Sequence, residues 1–465
     1  MKAILTVVLM QSAIAAMAQG LFVNTYGTAM AEERAFSVVT LTDGSIITAG
    51  DRYEIATFDV TAHVLKVNAT GSEQWNRQIS GTDDVHGNAL CVLPNGNVLV
   101  VGYDTGLPNS EFGILVAEYD AGNGLPVYTQ HHEFTLDAAA VDVVPMLDNG
   151  ATILSTYEFY PDLKTAMLVR TNASGDTVWS RVVNPFSGAE TPSGLISVSN
   201  GYIICGSVHE GTNDNAFLVK TDASGTIEWS EVYTATGIEL AESVVAIPTG
   251  GFYVAGSTNA TGNGGLDLMA MKVDANGGLI WKHGFGSDRN DLGFGVDVMA
   301  DGGAVWTGSA YAADSATYRD LYLLRTDADG DTLWTKHFGS GGAETGYDVV
   351  VDGNHIVAVG KADVNGTEDV LVVRTDLNGF AAVGIAEARF RNYSVYPNPA
   401  SDHLVIDPGH AVPKTLTVQL VDMLGRTVMR QTVIGHTRFD LAAVPNGIYT
   451  LLLNDAAVQR VVVMH

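Results

Sequence analysis

Carboxylates interleaved with aromatic residues are the side chains in this sequence best suited to chemistry. Asp83, Asp84, His86, Asp137, Glu239, Glu242, Asp288, Arg289, Asp291 and Glu344 fall in the breaks between apolar runs, as do Tyr53, Tyr103, Tyr157, Tyr160, Tyr311 and Tyr318. Acids beside flat rings suit a glycan or a cation, since the rings offer faces for stacking and the acids accept hydrogen bonds or balance charge. Catalytic motifs are missing: the sequence has no HExxH, GxSxG, CxxC or P-loop. Asp104-Thr105-Gly106 copies an aspartic-protease triplet, but that chemistry needs two such carboxylates sharing a proton and there is no second copy. Asp327-Ala328-Asp329-Gly330-Asp331 has the look of a calcium loop without the distal bidentate Glu of an EF-hand. His131 and His132 are adjacent on an expected strand and therefore face opposite ways, which makes them poor joint metal ligands. No cofactor and no metal ligand set is assigned, and calcium is the candidate ion.

The elements that must position these side chains come from a repeat of roughly fifty residues. Trp75, Trp179, Trp229, Trp281 and Trp334 recur at that interval, with Tyr128 in the missing place. Each follows a turn that starts with Asn or Asp, and the turns at Asn68, Asp120, Asn172, Asp222, Asp274, Asp327 and Asp376 make seven. A second series of seven Gly-containing hairpin turns lies between them: Asp43-Gly44, Asn95-Gly96, Asn149-Gly150, Asn200-Gly201, Gly250-Gly251, Gly302-Gly303 and Gly353. The intervening runs, such as FYVAG and LVVRT, are β-branched and apolar, so each unit reads as four strands, A to D. Four strands per repeat of this length indicate an all-β, seven-bladed β-propeller over residues 19–379. The last unit stops after strand C, and Leu21–Gly27 reads as an orphan strand D, so Leu21–Tyr26 should pair antiparallel with Val370–Thr375 and close the ring. The loops joining D to A and B to C then share one face, and they carry the acids and tyrosines above.

The once-per-blade Trp reads as inter-blade packing. The spacing Asp222, Gly225, Trp229 resembles the docking motif of quinoprotein propellers, but is one residue shorter between acid and Gly and lacks the companion Ala and Thr. Cys91 and Cys205 sit in apolar strand runs of different blades and read as buried free thiols.

Charge is unevenly distributed. Residues 19–379 hold 46 Asp and Glu against 16 Lys and Arg, whereas residues 394–465 hold 5 of each. Such an acidic field repels phosphate backbones and argues against nucleic acid as a partner. At the N-terminus, Lys2, the apolar stretch Ala3–Met17 and the Ala16-Met17-Ala18 site read as a signal peptide over residues 1–18. No later run is long enough to span a bilayer as a helix.

Residues 380–393 break the repeat and read as a linker. After them come Tyr396-Pro397-Asn398-Pro399-Ala400-Ser401-Asp402, then Asp422-Met423-Leu424-Gly425-Arg426, then Leu441 to Tyr449 ending Pro445-Asn446-Gly447-Ile448-Tyr449, and a final strand Val458–Met464. These motifs, in this order, resemble the type A C-terminal sorting domain of the type IX secretion system of Bacteroidetes, which covers residues 394–465. Alternating strands such as TLTVQLVD and YTLLLND fit a small Ig-like β-sandwich. The resemblance implies that Tyr396, Pro397, Asn398, Pro399, Asp422, Gly425, Arg426, Gly447 and Tyr449 belong to the sorting motifs. It also implies the secretion machinery as partner, passage through the periplasm, and delivery to the outer-membrane surface or the medium. The expected function is a non-enzymatic module binding an unidentified surface protein, glycan or cation. The alternative is a propeller enzyme, glycosidase-like or quinoprotein-like.

Overall fold

The computed structural model describes residues 20–381, apart from Thr82, Asn109, 160–162, 312–317 and Ser340, together with residues 394–396, 400–407, 415–421, 426–434, 437–453 and 456–465. The signal segment, most of the linker, Tyr160, Pro397, Asn398, Pro399, Asp422 and Gly425 lie outside them. The chain divides into two compact units, residues 1–381 and 382–465.

The described part of the first unit is seven four-stranded antiparallel sheets. Blades 1 to 6 take consecutive strands over residues 31–79, 85–132, 138–183, 189–233, 239–285 and 292–338. Blade 7 combines residues 344–376 with the N-terminal strand Phe22–Tyr26, which pairs antiparallel with Val370–Arg374, Phe22 opposite Arg374 and Tyr26 opposite Val370. The ring closes as the incomplete last repeat requires, and the sheet edge that blade 7 would otherwise expose is covered.

The A–B hairpins turn on positive-φ residues. In six blades these are glycines, whereas in blade 3 the left-handed residue is Asn149 (φ 62°) and not the Gly150 the pattern suggests. Asn tolerates that conformation because its short amide can bond locally. The C–D turns are Asx turns: Asp222 Oδ1, for example, accepts the amides of Ser224 and Thr226 at 2.8 Å each. Their glycine is also a docking surface. A Cβ on Gly277 would lie 2.9 Å from the Trp229 ring of the preceding blade, and one on Gly379 would lie 2.9 Å from Trp334. The recurrent Asx-x-x-Gly-x-x-x-Trp spacing is thus a packing code, in which each blade's Trp receives the next blade's turn.

The core lies between blades. Each junction has its own apolar cluster, such as Tyr253, Ala255, Leu268, Val296, Trp306 and Leu324 between blades 5 and 6. Phe22 from the N-terminal strand joins Ile46, Leu65, Val357 and Val372 between blades 7 and 1. Burying such side chains is worth roughly 1.5–3 kcal/mol each, so every blade depends on its two neighbours. Cys91 and Cys205 are buried and unbridged, in different junction clusters.

The second unit is a sandwich of a three-stranded and a four-stranded sheet. Its core gathers Leu404, Ile406, Val418, Leu420, Phe439, Leu441, Leu451, Val461 and Val463, with Tyr449 donating its hydroxyl to Pro445 O at 2.8 Å. Tyr396 and Arg426 are exposed.

Candidate functional site

The first strand of each blade forms the inner ring, and each touches its counterpart in both neighbouring blades. All seven carry a β-bulge at the same position. The bulged residues are Phe36, Asn88, Val141, Ser193, Glu242, Phe294 and Tyr347, all half-buried along the axis of the ring. A bulge inserts one residue and re-aims its side chain. Here it sets up a one-sided arrangement. Phe36 and Phe294 each meet the Tyr347 ring edge-on, with centroids 5.2 Å apart, which makes an aromatic arc over blades 6, 7 and 1. Blades 4 and 5 contribute Ser193 and Glu242, which are hydrogen-bonded to one another. Burial pushes the Glu242 carboxyl up to about 7.

Beside the bulges lie three more acids. Asp142 accepts the amide of Leu195 at 2.7 Å, Asp297 that of Val351 at 2.7 Å and Asp348 that of Val38 at 2.9 Å, each tying its blade to the next. Burial pushes Asp142 up to about 7 and Asp297 and Asp348 up to about 6; the charge of Asp348 raises Asp142 further, and that of Asp297 raises Asp348. Sequence reasoning passed over these three. The available signal was an Asp inside an otherwise apolar strand A.

Most of the carboxylates expected to bind a ligand hold the propeller together. Glu239, Asp291 and Glu344 are fully buried at blade junctions. Glu239 pairs with Lys282. Asp84 accepts the Val60 amide and Asp137 the Glu111 amide, both at 2.8 Å, so each D–A loop is pinned to the loop or strand of the blade before it. His86 lies 2.7 Å from Asp51 and stacks on Tyr103 with centroids 4.4 Å apart. Asp83, Asp288 and Arg289 are exposed on the loop face, and the Arg289 guanidinium sits 4.8 Å from the centre of the Tyr311 ring. Tyr53 packs beside Phe58 and Tyr157 beside Phe159, while Tyr318 is exposed. Among the described residues, no three His, Cys, Asp or Glu side chains are grouped to hold a metal ion. In the Asp327 turn, Asp327 accepts the amides of Asp329 and Asp331 at 2.9 and 3.0 Å, the same Asx geometry as the other C–D turns. Among the described residues no helix is long and apolar enough to cross a membrane.

Residues 394–464 match the family described as the secretion system C-terminal sorting domain. None of the curated proteins compared matches the sequence. Solved structures similar to the chain include virginiamycin B lyase from Staphylococcus aureus, at 8% identity over 76% of this chain and 99% of that one, with a TM-score of 0.49. A protein of unknown function from Dyadobacter fermentans is 13% identical over 76% and 99%, with a TM-score of 0.44. The propeller domain of the Trilobed protease from Pyrococcus furiosus is 9% identical over 76% and 97%, with a TM-score of 0.43. All three scores lie below 0.5, so it is the blade pairing described above, and not these likenesses, that establishes the fold. Seven four-stranded blades closed by the N-terminal strand, followed by a tail that matches a sorting family, make this chain an exported β-propeller carrying a type IX secretion C-terminal sorting domain that directs it across the outer membrane to the surface or beyond.

Proposed function

We propose that the exported propeller is a non-catalytic binding module whose ligand, a protein, glycan or cation, enters the axial ring from the loop face. The observation that carries this reading is the sidedness of the bulge ring. Three aromatic rings on blades 6, 7 and 1 offer apolar faces, and Glu242 with Ser193 offers a carboxyl and a hydroxyl beside them. Stacking on a ring and pairing with a carboxylate is how a sugar face or an ammonium group is held. The buried state of Glu239, Asp291 and Glu344, and the amide bonds made by Asp84 and Asp137, support binding over acid–base hydrolysis, because these acids are occupied in holding blades together. The test is a screen of the mature chain against a glycan array and a panel of amines, repeated with Phe294→Ala and Glu242→Gln. Each substitution should weaken a true axial ligand at least tenfold while leaving the melting temperature within a few degrees. A ligand whose affinity ignores both substitutions would refute the axial site. Turnover of any glycan by the wild-type chain would refute the non-catalytic reading.

A further inference from the structure

The blade junctions repeat one motif: a buried acid at the start of strand A meets the start of strand C in the preceding blade. At most junctions the acid has a partner that neutralises or satisfies it. Glu33 pairs with Arg52, Glu239 with Lys282, and Glu190 accepts the Thr165 hydroxyl at 2.8 Å and the Phe186 amide at 3.1 Å. At the junction of blades 5 and 6 the pattern changes. Asp291 is fully buried and faces a second buried carboxylate, Asp267, which is 1% exposed. Both lie against Gly286: a Cβ there would collide with Asp267 Oδ1 and sit 2.6 Å from Asp291 Oδ2. Asp291 accepts the amides of Ser287 and, at 2.9 Å, of Tyr311, and Asp267 accepts that of Asn263, yet Asp267 Oδ1 is buried with no hydrogen-bond partner.

A buried carboxylate oxygen without a donor is costly, and a second carboxylate beside it makes it more so. Burial and the neighbouring Asp291 push the Asp267 carboxyl up. An open groove of about 390 Å³ lies nearby, lined by Thr261, Gly262, Lys282, Phe285 and Asp331. Gly262 in that lining abuts Asp267 Oδ2, and the Thr261 hydroxyl is itself buried without a partner. The groove therefore brings solvent to the edge of the pair. At the next junction Asp320 and Glu344 flank Gly339 in the same way, but both have other partners.

We propose that Asp267 and Asp291 form a site for a calcium-class hard divalent cation that bolts blade 5 to blade 6. Such ions take oxygen ligands from carboxylates, backbone carbonyls, hydroxyls and water. With two carboxylates the affinity belongs to the weak extracellular range, a dissociation constant of about 0.1–1 mM. A cation that binds only the folded state raises the melting temperature.

The test is calorimetry of the mature chain in calcium, in magnesium at equal ionic strength, and in chelator. At 10 mM, calcium should raise the melting temperature by a few degrees over both other conditions. Asp267→Asn should abolish that increment and melt higher than wild type in chelator, because the repulsion is gone; Asp288→Asn, a change at an exposed neighbour, should keep it. Hydrogen exchange on the wild-type chain reads the same site without substitution: calcium should slow exchange at residues 261–267 and 286–291. A calcium increment that survives in Asp267→Asn, equal effects of calcium and magnesium, or unchanged local exchange would each overturn the proposal. Stabilisation by acid alone with no cation effect would overturn it too, and would mean that the pair shares a proton.

Discussion

At the residue scale, the acids around the axis make stability depend on pH in a direction opposite to ordinary acid denaturation. Asp142 and Glu242 are pushed up to about 7, and Asp297 and Asp348 to about 6, from unfolded values near 4. A raised carboxyl binds more protons folded than unfolded, so its contribution is fully present below about pH 4 and is lost as pH rises from there to its folded value of 6–7. His63 acts the other way. Buried against Asn76, it is pushed down to about 4, so its contribution is lost as pH falls from about 6.5 towards 4. Between pH 8 and 6.5 only the acids are gaining protons, at a limiting slope of about 1.4 kcal/mol per pH unit per group. The midpoint of urea unfolding should therefore rise on going from pH 8 to pH 6. It should level off only towards pH 4, where the unfolded carboxyls protonate as well, and Asp142→Asn should flatten the rise. A midpoint that falls steadily from pH 8 to 6 would show that these carboxyls are not held neutral.

At the element scale, the C–D turn is where local and inter-blade demands meet in one residue. Gly277 takes φ 86° and faces Trp229, whereas Gly96, in an A–B hairpin, takes the same φ with open space around it. An Ala at Gly96 incurs the left-handed strain alone, about 1 kcal/mol. An Ala at Gly277 incurs that strain and also separates blade 5 from the Trp of blade 4, a total of about 2–4 kcal/mol. Chemical denaturation of the two variants should show that difference, and equal losses would mean that the turn glycines serve only the turn. The N-terminal strand is the other element whose role is larger than its length. Phe22–Tyr26 supplies Phe22 to a junction core, and the Tyr26 hydroxyl reaches Gly71 O at 2.6 Å. Among the described residues it is this strand that fastens the chain's start to the last blade.

For the whole molecule, the two units carry separate tasks. The propeller's cores are all between blades, and the sandwich has its own. Deleting residues 394–465 should leave a folded propeller that stops in the periplasm, because a signal peptide serves the inner membrane only and the tail is what matches the sorting family. Fractionation of cells expressing the truncated chain is the measurement. Truncated propeller at the surface in wild-type amounts would remove the sorting role from the tail, and an unfolded product would show that the units depend on each other.

Sequence by itself determined what repeats and what is local. Seven Asx turns, seven glycine hairpins and the Trp interval set the blade count, because turn chemistry and strand alternation depend on near neighbours in the chain. The orphan strand Phe22–Tyr26 was legible for the same reason: a missing D at one end and a spare one at the other define the closure. The tail's motifs were legible as spaced short strings, even where their residues fall outside the described structure. What only the tertiary structure decided is which acids face a ligand and which face a neighbour. Glu239, Asp291 and Glu344 look on paper like Asp83 and Asp288, since all lie in or at the end of a D–A connection. Burial by the adjacent blade separates them, and that blade's contribution comes from about fifty residues away. The bulge in strand A was equally hidden. It adds one residue to the strand without changing its apolar character, yet it turns Phe36, Glu242, Phe294 and Tyr347 onto the axis, where seven chain segments converge.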